Sequence, residues 1–182
     1  MDRFSELAQQ IYELCRLEYK GDEALKLFRH ESIARGDQLA ADANLPDMVL
    51  YLNFAEQTQE THAVLKDLAK YNSQALASNP NFGLLILTLC KLNQTVEAVE
   101  LLVDVARDNK EILKFNESME SAYIGLDRKD ATEEAQAIAA WLDSGDGTDF
   151  PEFPRLERIQ RDRASGAMHA TTGLQPRMGL ED

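Results

Sequence analysis

Four alanines, Ala24, Ala63, Ala98 and Ala135, each open an apolar helical stretch and are separated by 39, 35 and 37 residues. Nine and thirteen positions before each stands an apolar pair: Cys15 and Ile11, Phe54 and Leu50, Leu89 and Leu85, Leu126 and Ala122. A period in this range constrains the fold more than any other feature of the chain. One unit of that length cannot bury its own apolar face, so successive units must cover one another, as in a stacked array of helix hairpins. Arrays of this kind usually hold other proteins.

The helical signals can be read in order. Phe4, Leu7, Ala8, Ile11, Leu14, Cys15 and Leu17 recur at three-and-four spacing, one face of an amphipathic helix. Gly21 interrupts it, and Asp22 is placed to cap a second helix that carries Ala24, Leu25, Phe28 and Ile33 and continues weakly towards Ala43. Pro46 suits the first turn of a third helix, because its missing N–H is unneeded there. A fourth helix is expected from Glu60 to Ala77, closed by the turn sequence SNPN. Two further pairs follow: Phe82–Leu92 with Thr95–Asp108, then Glu111–Leu126 with Thr132–Leu142, the last opened by an Asp130/Glu133 capping box. No alternating strand pattern occurs. The expected class is all-α, with about eight helices in residues 1–142. An irregular helical bundle is the alternative architecture.

With these helices in place the chain resembles a divergent tetratricopeptide-repeat protein. Phe82, Leu85 and Leu89 fall at the large positions of a first helix, Ala98 at the small crossing position of the second, and Leu102 and Val105 follow it. KGDEALKLF in the first unit is the phrase closest to that family. Tyr12, Tyr51, Ile86 and Tyr123 stand where the family has a small residue, the closing proline is absent, and the period exceeds the usual 34 residues. The resemblance implies antiparallel hairpins stacked over residues 4–142, with a binding surface made by the first helix of each unit. On that register Asn53, Asn81, Thr88, Asn116 and Tyr123 are the candidate groove residues.

Charge narrows the partners. Nineteen basic against 32 acidic residues give a net charge of -13, which repels nucleic-acid phosphate and anionic lipid and favours basic partners. Cys15 and Cys90 both sit in apolar helical patterns and read as core thiols in a reducing, cytoplasmic setting. MDRFSELAQQ lacks the apolar run of a signal peptide. The longest apolar stretch, Phe82–Cys90, falls well short of the roughly 20 residues a membrane span needs. His30 is followed four positions later by Ala34, so a zincin pair is missing, and GDGTD lacks the oxygens of an EF-hand. No metal, cofactor or catalytic set is expected.

After Leu142 the composition changes. Residues 143–182 hold five of the nine glycines and three of the five prolines, and no lysine. They read as a linker and an arginine-containing tail, extended or partly disordered, with RLERIQRDR able to form one or two helical turns. Phe150, Phe153, Leu156 and Ile159, together with Arg155, Arg158 and Arg161, are the tail's candidate contacts, for a partner or for a sister subunit. The functional expectation is a non-enzymatic adaptor or chaperone that binds a protein through a helical groove, through the tail, or through both. The alternative is an acidic regulator that blocks a basic, for instance nucleic-acid-binding, surface of another protein.

Overall fold

The structure, a computed structural model of the chain, describes residues 6–145 and 147–170, and among these every regular element is helical. Phe4, Asp146, Arg177 and the rest of 171–182, which entered the sequence reading, lie outside the described residues. Among the described residues eleven α-helices, rather than about eight, stand before the tail, and a twelfth lies in it: α1 Glu6–Tyr12, α2 Gly21–Ala34, α3 Gly36–Ala40, α4 Leu45–Phe54, α5 Thr58–Tyr71, α6 Ser73–Ala77, α7 Phe82–Lys91, α8 Thr95–Asp108, α9 Lys110–Lys114, α10 Met119–Asp127, α11 Thr132–Asp143 and, in the tail, α12 Pro154–Ala170. A π-helical turn, Glu13–Leu17, continues α1.

The surplus comes from a third, short helix in each of the first three units. The helices expected to run from Glu60 to Ala77 and from Glu111 to Leu126 are each broken. The breaks that separate α2 from α3, α5 from α6 and α8 from α9 fall at Arg35, Asn72 and Asn109, whose backbones repeat one geometry (φ -142, -133 and -131). Each bend turns a buried leucine of the short helix, Leu39, Leu76 or Leu113, onto the core. The asparagines at two of the bends are hydrogen-bonded: the Asn109 amide donates to the Val105 carbonyl of its own unit, and the Asn72 amide reaches Asp37 Oδ1 on α3 of the preceding unit.

The period proves uniform. Second helices start at Gly21, Thr58, Thr95 and Thr132, first helices at Leu45, Phe82 and Met119, and short helices at Gly36, Ser73 and Lys110, always 37 residues apart. This corrects the second unit by two residues. Its crossing residue is Thr61, 1% exposed, and Ala63 lies on the surface. Its first-helix pair is Met48 and Leu52, both fully buried, in place of Leu50 and Phe54. Thr61 fits an alanine slot because its hydroxyl is satisfied within its own helix by the Gln57 carbonyl. The residue beside the crossing is accordingly Val49, not Tyr51, and the buried Leu65 follows Thr61 as Leu102 follows Ala98.

The turns between first and second helices use the same device four times. Tyr19, Glu56, Asn93 and Asp130 have φ of 56, 63, 61 and 57. Asp130 is therefore the left-handed turn residue and not the cap of α11, whose flanking residue is Ala131. At three turns the N–H of the very next residue reaches back to the helix, Gln57 to Leu52, Gln94 to Leu89 and Ala131 to Leu126, the Schellman closure.

Residues 1–151 and 152–182 form two units. In the first, α1, α4, α7 and α10 pack in sequence, each against the next, and so do α2, α5, α8 and α11. The core runs between these rows: Ile11, Met48, Leu85 and Ala122 repeat one buried position, and Ala24, Thr61, Ala98 and Ala135 another. α10 packs most closely on α7, which Gly83 permits: a Cβ there would stand 1.8 Å from the Ser118 carbonyl oxygen. In the second unit α12 is 17 residues long, more than the one or two turns expected, and its first turn closes with Glu157 N–H donating to the Phe153 carbonyl.

Candidate protein-binding groove

The asparagines expected to line a groove are engaged in joining the units. Asn79 donates its amide to the Ala40 and Asp42 carbonyls, and Asn116 does the same to Ala77 and Asn79, one period later. The side-chain oxygens of Asp42, Asn79 and Asn116 each accept the backbone N–H two residues on, at Asn44, Asn81 and Ser118. At the first of the three positions the side chain is a carboxylate, Asp42, which accepts from Asn44 in the same way. Asn81 adds a bond to the Ala43 carbonyl, and Asn53 donates to Val49 and accepts from Gln94. Thr88 is half-buried on α7.

Tyr123 lies elsewhere, at an open groove. Tyr123, Ile124 and Asp127 of α10 and Thr132, Ala135, Gln136 and Ala139 of α11 line a space of about 320 Å³. Ile124 is 42% exposed, and Ala135 forms the buried floor. Burial, reinforced by Asp143, pushes the Tyr123 phenol up to about 12, so it is a neutral hydrogen-bonding group at physiological pH. Thr132 donates its hydroxyl to Asp127 Oδ1, fixing that carboxylate at the edge.

The place of this groove in the repeat gives it meaning. One period earlier the same positions are Ile86, Leu87, Cys90, Thr95, Ala98, Val99 and Leu102, on α7 and α8, and α10 packs against both helices. A Cβ built on Gly125 of α10 lies 3.0 Å from Leu87 Cδ1 and 3.5 Å from Cys90 Cβ, so the inner groove is filled at that point by helix backbone. The α10–α11 groove repeats a slot already shaped for a helix. Sequence reasoning found Tyr123 but passed over Ile124, Ala135 and Ala139, which have the spacing of ordinary core residues.

The remaining candidates divide between the two units. Phe150 packs edge-on against Trp141 (ring centroids 4.9 Å apart), with the Arg107 guanidinium over its face at 5.5 Å. Trp141 Nε1 donates to the Thr148 carbonyl, and Lys110 Nζ to Ser144 Oγ and the Gly145 carbonyl. Residues 144–145 and 147–150 thus stand in the fourth unit where the others have a short helix. Phe153 precedes α12, on which Leu156 and Ile159 lie three residues apart among the exposed Arg155, Arg158 and Arg161.

Between α5 and α8, Lys66 Nζ meets Glu100 Oε2 at 2.9 Å and His62 Nε2 approaches the same oxygen at 3.6 Å. His62 occupies the position that is Leu25 and Val99 in the neighbouring units, so the cluster replaces part of an apolar contact between second helices. Cys15 and Cys90 are both free thiols buried in the core. Among the described residues no cluster of three His, Cys, Asp or Glu is arranged to hold a metal, and no helix is long and apolar enough to cross a membrane.

Compared with known proteins, the chain matches no family model, no curated protein and no solved structure.

Proposed function

We propose that this chain is a non-enzymatic, cytoplasmic adaptor or chaperone of the tetratricopeptide-like kind, which binds a partner protein by taking one of its helices into the α10–α11 groove. The observation that carries the reading is the equivalence of this groove to the α7–α8 slot in which α10 lies. Helix-in-groove recognition uses the same apolar burial as folding, with anchors spaced along one face of the ligand helix. The small crossing residues Ala24, Thr61, Ala98 and Ala135 support the tetratricopeptide-like stacking, lengthened by the short third helix of each unit. The arginines of α12 are the second element proposed to meet the partner.

A photo-crosslinker at Gln136, which is exposed on the groove edge, tests this in the native host. The expected adduct joins a discrete protein through an amphipathic helical segment and is lost when Ala139→Trp fills the groove. Adducts that persist in Ala139→Trp, in a protein whose circular dichroism is unchanged, overturn the reading. The second reading, an acidic blocker of a basic surface, rests on the net charge of -13. It predicts capture that collapses as salt rises, whereas apolar groove binding survives.

A further inference from the structure

Resting on the groove reading above, we infer that the partner helix is basic at one defined position: it presents large apolar residues at i and i+7, an apolar or small residue at i+3, and lysine or arginine at i+6. The pattern comes from the helices that fill the equivalent places in this chain. Leu45, Met48 and Leu52, then Phe82, Leu85 and Leu89, then Met119, Ala122 and Leu126 supply i, i+3 and i+7, and all of them are buried. The residue at i+6 is the one that faces the preceding unit across the joint. In α10 it is Gly125, set against Leu87 and Cys90.

In the open groove the positions of Leu87 and Cys90 are held by Ile124 and Asp127. Cys90 is 1% exposed, and burial pushes its thiol up to about 11, so it joins the apolar contact as an uncharged group. Asp127 places a carboxylate at that point. A helix seated there strips water from the carboxylate, which is unfavourable unless a cation or strong donor replaces the water. Thr132 supplies one hydrogen bond to Oδ1. A second substitution acts in the same direction, because Asp143 stands one period after the buried Ala106 and makes the groove's surroundings more acidic. The net charge of -13 steers a basic helix towards the protein before contact. A second copy of this chain does not supply such a helix through α12. That sequence has Leu156 and Ile159 at i and i+3, but Asp162 at i+6 and Arg163 at i+7.

The test uses the full chain and three alanine-based helical peptides with leucine at i and i+7, alanine at i+3, and lysine, alanine or glutamate at i+6. Binding is read by fluorescence anisotropy. The lysine peptide is expected to bind about tenfold more tightly than the glutamate peptide, a charge-pair discrimination of ordinary size. Asp127→Asn should remove the difference, and Asp127→Lys should reverse it, each variant having a melting curve like that of the parent. Equal binding of all three peptides, abolished by Ala139→Trp, overturns the charge inference and leaves the groove reading standing. If no peptide binds and the Gln136 crosslink is also absent, both fall. Self-association in sedimentation that disappears in Ala139→Trp makes a second copy the occupant and overturns the inference.

Discussion

Asn79 shows how much one side chain carries in this molecule. It is 1% exposed, donates to two carbonyls of the preceding unit and accepts the N–H of Asn81. Asn79→Ala leaves those groups without partners, and each buried unsatisfied group costs about 1–3 kcal/mol, so we expect a loss of about 3 kcal/mol in urea unfolding. Asn79→Asp should be at least as damaging. It keeps the acceptor for Asn81 but sets a carboxylate against two carbonyl oxygens. Glu56 offers the opposite case. It is exposed, in the left-handed region at φ 63, where an L-residue is strained by roughly 1–2 kcal/mol and glycine is not. Glu56→Gly should therefore raise the urea midpoint, by about 1 kcal/mol in stability. The same four positions explain why the turns were hard to see in the sequence. Tyr19, Glu56, Asn93 and Asp130 include no glycine, the residue by which such a turn is ordinarily recognised.

For the helices, the register itself is open to test. Ala98 is fully buried at the crossing of α7 and α8, and a carboxylate there has no partner; Ala98→Glu should cost at least about 3 kcal/mol. Ala63→Glu, by contrast, should change stability by less than about 0.5 kcal/mol, because Ala63 faces solvent. A large loss at Ala63 and none at Ala98, read by thermal unfolding, would reverse the helix assignment. Three of the four crossing residues were legible because alanine between large apolar residues is distinctive. The fourth was hidden by chemistry: threonine is polar and β-branched, and its burial depends on a bond to Gln57 that sequence does not display. The breaks at Asn72 and between Lys114 and Met119 were missed for a related reason. No proline marks them, and the apolar pattern continues through α6 and α9 because those short helices return to the same core. The open groove was invisible, since what distinguishes Ala135 and Ala139 from core alanines is only their place in the last unit.

At the scale of the whole first unit, alkaline pH should loosen the fold. Cys90 and Tyr123 ionise near 9.0 and 10.0 when unconstrained, but burial holds their protons to about 11 and about 12 in the folded chain. Between these limits the folded state binds more protons than the unfolded one, so stability declines as pH rises. Urea midpoints should be steady up to pH 9 and fall from there to pH 11, and the double variant Cys90→Ala/Tyr123→Phe should fall less steeply. An equal decline in both proteins would assign the effect to other groups. The uniform spacing of the joints has a consequence of another kind. Ser78–Lys114 is one complete period, beginning and ending at equivalent points of the asparagine ladder, and Asn79 and Asn116 make the same bonds at its two borders. An in-frame duplication of that stretch would meet, at both of its new edges, the partners it already has. The length of this protein is in that sense a count rather than a fixed shape, and genetic change can raise it by whole steps without inventing a new contact.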